Sequence, residues 1–386
     1  MNIPTMSETF ALGGFLARWS PRVRHDLSGS EAATLTLSAL LELAGPEDRR
    51  RWQELGLGYT DPRGASWLRS AIAERYDKLD DTHIVCCAGA QEVLTSTMRA
   101  LLAPDDHAVV VVPIYQPSER AVTSICAATG VPLEDRGAWL LDVDRVASAL
   151  QGNTRLVLMN FPNSPTGASI DPAALAALVA LCRRHGLWLV NDEVYGLVDL
   201  DPHLRSPRLA DIYERGVSIN AVSKGFGLPG LRVGWVACQD RRFLAEVQLV
   251  KSMLSSCLAA PSEVLTHIAL GAENRIVERN KAILGSNREL VELFLDRHLE
   301  AFEGQASANS AFVCPRYLGS DGADRFAVEL AREAGVLLLP SGLWQSTLAE
   351  TPGDRVRIGL GRVGVGAALQ ALSGYLVRRR RVAAAS

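Results

Sequence analysis

Lys224 lies in Ala221-Val-Ser-Lys-Gly-Phe-Gly-Leu-Pro-Gly-Leu-Arg-Val-Gly-Trp235, and the only other lysines are Lys78, Lys251 and Lys281 in a chain otherwise rich in arginine. A position that needs only positive charge is served by arginine. One that must form an imine needs the amine of lysine, because guanidinium stays protonated. Other groups precede it in order. Gly89, in Ala88-Gly-Ala-Gln-Glu-Val-Leu94, opens a helical stretch whose free amides would attract a phosphate, the glycine letting backbone approach closely. Tyr115, in Pro113-Ile-Tyr-Gln116, is either a half-buried aromatic or a ring laid on a flat cofactor. Asn160-Phe-Pro-Asn-Ser-Pro-Thr-Gly167 is an irregular loop fixed by prolines. Asp192, in Val190-Asn-Asp-Glu-Val-Tyr195, follows an apolar run, where a carboxylate needs a cationic partner such as a protonated ring nitrogen or an arginine.

Short valine-rich runs must position these groups. His83–Cys87, Ala108–Val112, Arg155–Met159, Leu187–Val190, Val217–Val222 and Arg232–Cys238 read as strands alternating with helices. The clearest helix runs from Pro172 to His185, with Asp171 as its cap and Gly186 as its left-handed exit. The alternation predicts an α/β fold with a mainly parallel sheet sandwiched by helices, its ligands at the carboxyl ends of the strands. The flanks differ, with helical fragments before residue 50 and short strands such as Ala311–Pro315 and Val336–Leu339 among helices beyond 285. The expected division is a large domain, 51–284, and a smaller α+β domain built from 1–50 and 285–386.

The chain has 386 residues, 48% hydrophobic and 22% charged, with a formal net charge of −3. This balance gives no basis for binding nucleic acid or an acidic membrane surface, and the run Arg378–Arg381 reads as a solvated helix end. Seven cysteines without Cys-x-x-Cys spacing, Cys86 and Cys87 adjacent in a buried strand, imply neither a disulfide framework nor a zinc site. The seven histidines lack metal-ligand spacing and read as surface or capping residues, so no metal is expected. No basic region followed by an apolar run opens the sequence, and no apolar run reaches membrane-spanning length, which predicts a cytoplasmic protein.

The ordered set Asn-x-Pro-x-x-Pro-Thr-Gly, Asp-Glu-Val-Tyr and Ser-Lys-x-x-Gly-Leu-x-Gly-Leu-Arg-x-Gly-Trp resembles the fold-type-I pyridoxal-phosphate enzymes of the class I/II aminotransferase family, from about Tyr59 to Arg357. The resemblance implies pyridoxal 5'-phosphate bound covalently to Lys224, which then shuttles the substrate's α-proton. It implies Asp192 against the pyridinium nitrogen, Tyr195 on the phenolic oxygen and Tyr115 over the ring. Gly89, Ala90, Gln91, Ser223 and Arg232 would hold the phosphate, and the glycines around Lys224 would let backbone pass close to the cofactor. Tyr59, in Gly58-Tyr-Thr-Asp-Pro-Arg-Gly64, would reach the phosphate of a neighbouring subunit, which implies a homodimer with active sites at the interface. Arg357, in Arg355-Val-Arg-Ile-Gly-Leu360, would clamp the substrate α-carboxylate, although Arg355 has the same strand parity. In one departure, Ser164 stands where the family has the asparagine that bonds the phenolic oxygen, and Asn163 precedes it. Either Asn163 reaches the oxygen or the Ser164 hydroxyl substitutes.

The reaction expected by default is transamination of an α-amino acid. His25-Asp-Leu-Ser-Gly-Ser-Glu-Ala-Ala-Thr34 lacks the family's common Gly-x-Pro, and the loops around Ser164 and Lys224 are also similar to capreomycidine synthase. That similarity implies an alternative, β-elimination and cyclisation of a hydroxylated arginine in antibiotic biosynthesis. Glu31 would then accept two parallel hydrogen bonds from a guanidinium; otherwise it caps a helix beginning near Ala32. A third class, the aminotransferase-like effector domain of winged-helix regulators, needs roughly a hundred residues before the first cofactor motif, and Tyr59 leaves no such room.

Overall fold

The strands form a seven-stranded sheet: β1 (Ile84–Cys87), β2 (His107–Val112), β3 (Ala127–Pro132), β4 (Thr154–Asn160), β5 (Trp188–Asp192), β6 (Gly216–Ala221) and β7 (Gly234–Ala237), in the spatial order β1-β7-β6-β5-β4-β2-β3. The structure is a computed structural model that describes residues 10–135, 139–198, 206–304 and 310–385. β2 through β6 pair in parallel, whereas β7 runs antiparallel to both β1 and β6. Helices cover the sheet, which is why runs such as Val109–Val112 are buried on both faces rather than alternating.

Three sequence expectations change in detail. β3 was not among the expected strands, because Ala-Ala-Thr-Gly-Val-Pro has weak β-propensity and forms an edge strand, partly exposed. No helix begins near Ala32; residues 27–36 are irregular and the next helix is Leu37–Glu42, capped by Thr36. His107 is buried in β2, its ring nitrogens 2.8 and 2.9 Å from the hydroxyls of Thr154 and Thr129, rather than on the surface. The helix Pro172–His185 forms as expected, with Asp171 accepting from the amides of Ala173 and Ala174 and Gly186 at φ 64°.

Both ends of the chain meet in a smaller unit. His25–Asp26 pairs in parallel with Val336–Leu337, and β8 (Val356–Gly359) lies between Phe312–Val313 and Leu339–Pro340. Leu27 packs here with Phe312, Val336 and Ile358, while Leu40 and Ala44 pack with Leu68, Ile72 and Phe226 beside the sheet. The helix Glu273–Arg297 belongs to both cores, Ile276 to the second and Leu284 to the first.

Candidate active site

Parallel strands deliver their carboxyl ends to one edge, so chemistry carried just past them converges there. Asn160 and Asp192 are register partners at the ends of β4 and β5. The antiparallel β7 begins at that edge, Gly234 pairing with Cys87 and Ala221, so Arg232 arrives beside Gly89 and Ser223. A cavity of about 410 Å3 opens at this edge. Among its lining residues are Ala90, Gln91, Tyr115, Ser164, Asp192, Tyr195, Ser223, Lys224, Arg232, Arg357 and Glu31, all expected from sequence.

Lys224 Nζ donates to Ser30 Oγ at 2.7 Å and lies 5.6 Å from the Tyr195 ring centroid. Asp192 is buried, and burial pushes its carboxyl up to about 6, partly offset by the Val194 amide and the Lys224 charge. Among the described residues the Val194 N–H, at 3.3 Å, is its hydrogen-bond donor. Asn160, which sequence reasoning quoted without assigning it a role, lines the cavity and locks the strand ends: its amide donates to the Asp192 carbonyl at 2.7 Å and its Oδ1 accepts from the Ser164 N–H at 2.8 Å. Tyr115 lies edge-on to Phe10, and burial pushes its phenol up to about 12.

Gly89, at φ 88°, precedes the helix Ala90–Leu101, and a Cβ there would collide with the Arg232 guanidinium. Arg232 itself is left-handed at φ 52° and donates to the carbonyls of Pro229 and Ala88 at 3.1 and 3.3 Å. A Cβ at Gly225 would meet Leu197 and one at Gly227 would lie 2.8 Å from the carbonyls of Ala32 and Ala33, so these two glycines make room for the chain itself, while Gly230 faces open space.

Geometry places the members of two candidate pairs differently. Asn163 is not among the lining residues; its amide donates to the Pro113 carbonyl at 3.1 Å and its Oδ1 accepts from Thr166, whereas Ser164 Oγ faces the cavity 3.2 Å from Arg357 Nη1. Arg357, on β8, is buried over Phe312, with Nη2 donating to the Ser28 carbonyl at 2.8 Å and Nε unpartnered. Arg355 precedes β8 and turns away, pairing with Asp135 over the Trp139 ring. Tyr59 is 95% exposed on a loop outside this cavity, next to Cys257 and Leu258. Glu31 faces the cavity but pairs with Arg362, as does Asp26, an ion-pair cluster the sequence did not disclose. Burial pushes Glu31 up, but the Lys224 charge and the Arg362 hydrogen bonds outweigh it and hold it below the usual range.

A lone lysine, a buried carboxylate and three arginines around one cavity at the carboxyl edge of such a sheet define a pyridoxal-phosphate-dependent enzyme. The family model for aminotransferase class I and II matches residues 40–363, and the chain belongs to that family. It is 36% identical over 186 residues to the arginine–pyruvate transaminase of Pseudomonas aeruginosa, a match covering 46% of this chain and 47% of that one, about half its length. It is 27% identical over 303 residues to capreomycidine synthase of Streptomyces vinaceus, covering 77% and 74%. A PLP-dependent aminotransferase of Streptococcus suis superposes with a TM-score of 0.89 at 24% identity, over 98% of this chain and 99% of that one.

The cofactor is pyridoxal phosphate, and the residues present fit it. Among the described residues Asp192 has no cationic hydrogen-bond partner of the kind a protonated ring nitrogen supplies, Gly89 keeps open a cradle that any side chain would close against Arg232, and Lys224 reaches the same cavity. Among the described residues no group of His, Cys, Asp and Glu could hold a metal ion, and no helix is long and apolar enough to cross a membrane.

Proposed function

We propose that the protein is an aminotransferase that moves the amino group of an α-amino acid to an oxo-acid, with Lys224 as the proton-transferring base. Bound pyridoxal phosphate supplies an electron-withdrawing ring that stabilises negative charge at the substrate Cα. Asp192 would hold the ring nitrogen protonated, which its burial favours, since among the described residues no cation hydrogen-bonds it. The amides of Ala90 and Gln91, with Ser223 and Arg232, would hold the phosphate. The hydroxyls of Tyr195 and Ser164 would hold the phenolic oxygen, and Tyr115 would cover the ring. Arg357, whose buried Nε has no partner, would take the substrate carboxylate through charge-assisted hydrogen bonds. Lys224 Nζ, displaced once substrate binds, would take the Cα proton and return it elsewhere. Tyr59, exposed and outside its own cavity, suits a phosphate ligand donated across a homodimer.

The observation that carries this reading is the convergence of Lys224, Asp192 and Arg357 on one cavity. A second reading, elimination and cyclisation of a hydroxylated arginine, is favoured by the likeness to capreomycidine synthase across most of the chain. Incubating the holoenzyme with an amino-acid panel and pyruvate or 2-oxoglutarate, followed by mass analysis, separates the two. An oxo-acid product and a newly aminated acceptor are expected; loss of water without amine transfer would replace the first reading by the second.

A further inference from the structure

The segment Asp26–Glu31 touches three basic residues of the cavity. Its Ser28 carbonyl accepts from Arg357 at 2.8 Å, its Ser30 hydroxyl accepts from Lys224 at 2.7 Å, and its two carboxylates hold Arg362. Arg362 commits three of its five N–H donors there: Nε and Nη2 reach Glu31 Oε1 at 3.2 and 2.7 Å, and Nη1 reaches Asp26 Oδ2. We propose that the Asp26–Glu31 pair is the side-chain subsite for a cationic amino acid, guanidinium or ammonium, and that Arg362 is its resident occupant and yields to such a substrate. This rests on the reading of the cavity as an amino-acid site.

Charge and anchoring favour a cation. Two carboxylates around one guanidinium leave the cluster at −1, so an acidic side chain meets net repulsion. A cationic side chain exchanges for Arg362 without leaving a carboxylate unpaired, whereas a neutral one that displaced the arginine would strand both. The carboxylates are fixed from behind. Asp26 Oδ1 accepts from the Ser28 amide and hydroxyl at 2.8 and 2.5 Å, and Glu31 Oε2 accepts from the Ser30 amide at 3.1 Å. The segment is tied at both ends, Leu27 N–H to the Leu337 carbonyl at 2.7 Å and Ala32 N–H to the Lys224 carbonyl at 3.1 Å. Arg362 is the most exposed of the three, its side chain 41% exposed against 23% for Asp26 and 18% for Glu31. Arg357, the proposed partner of the substrate carboxylate, lines the same cavity, which leaves the acidic pair for the other end of the molecule.

The test is calorimetric binding to the holoenzyme of three acids that lack an α-amino group and so cannot react: δ-guanidinovalerate, valerate and glutarate. Guanidinovalerate should bind more tightly than both. Glu31→Gln should shrink its preference over valerate roughly 10- to 100-fold, as expected for one charge-assisted contact. Arg362→Met should enlarge that preference by removing the competitor; should that variant fail to fold, Arg362→Lys, a poorer bidentate partner, should move it in the same direction. Equal binding of guanidinovalerate and valerate overturns the proposal. So does tightest binding of glutarate that is lost in either Arg362 variant, which would make Arg362 a reader of acidic side chains. Because the probes cannot react, a protein that prefers guanidinovalerate but transaminates nothing refutes the proposed reaction and keeps the subsite.

Discussion

Asp192 carries a carboxylate where burial pushes it up to about 6, above the value of about 3.9 expected in an unfolded chain. Before the cofactor binds, the folded protein therefore holds this proton more tightly than the unfolded chain. Relative to its protonated form, the group costs stability increasingly as pH rises from about 4 through the folded value, reaching about 3 kcal/mol at neutral pH. Asp192→Asn removes the titration. Melts of cofactor-free protein should coincide near pH 4 and separate by pH 7 with the variant more stable, while the variant binds cofactor less tightly. Parallel curves across that range would contradict the buried, unpaired state. Lys224 and Asp192 were legible in sequence because one is a scarce type and the other breaks an apolar run. Arg362 was not, since one arginine among many acquires meaning only through partners 331 and 336 positions away.

At the scale of elements, the βα turn after β1 does two jobs at Gly89: it reaches φ 88° and leaves the space that the Arg232 guanidinium fills. Gly89→Ala should lose both. The left-handed strain should cost about 1–3 kcal/mol of stability, and the displaced arginine should weaken cofactor binding on the order of tenfold or more; fluorescence titration and urea melts check the two separately. Unchanged affinity would remove Arg232 from the phosphate site. The pattern located β1, β2 and β4 to β7 because strands buried on both faces are continuous apolar runs, and it missed β3, an edge strand of poor formers. The helix near Ala32 that Glu31 would cap does not form, because tertiary contacts with Lys224 and β8 hold the segment irregular. The choice between Asn163 and Ser164 depended on a loop conformation that spacing alone does not specify.

At the scale of the whole molecule, Tyr59 is the residue whose proposed role needs a second copy, since it stands exposed beside Leu57, itself 84% exposed, rather than in its own cavity. The loop is firmly backed: the buried Lys251 ammonium donates to the carbonyls of Pro62 and Ser256 at 2.8 and 2.6 Å. If Tyr59 serves the partner's site, mixing inactive Lys224→Ala with weakened Tyr59→Ala and allowing exchange creates hybrids with one intact site, and activity should return above either variant alone. Mixtures no more active than their parts would confine Tyr59 to its own chain.

The account as a whole depends on Lys224 being the attachment point for pyridoxal phosphate. The holoenzyme should be reduced with borohydride, digested and sequenced by mass spectrometry. A pyridoxyl mass on the peptide containing Lys224, absent from Lys224→Ala, is the predicted result; a label on Lys78, Lys251 or Lys281, or one that persists in the variant, would contradict it.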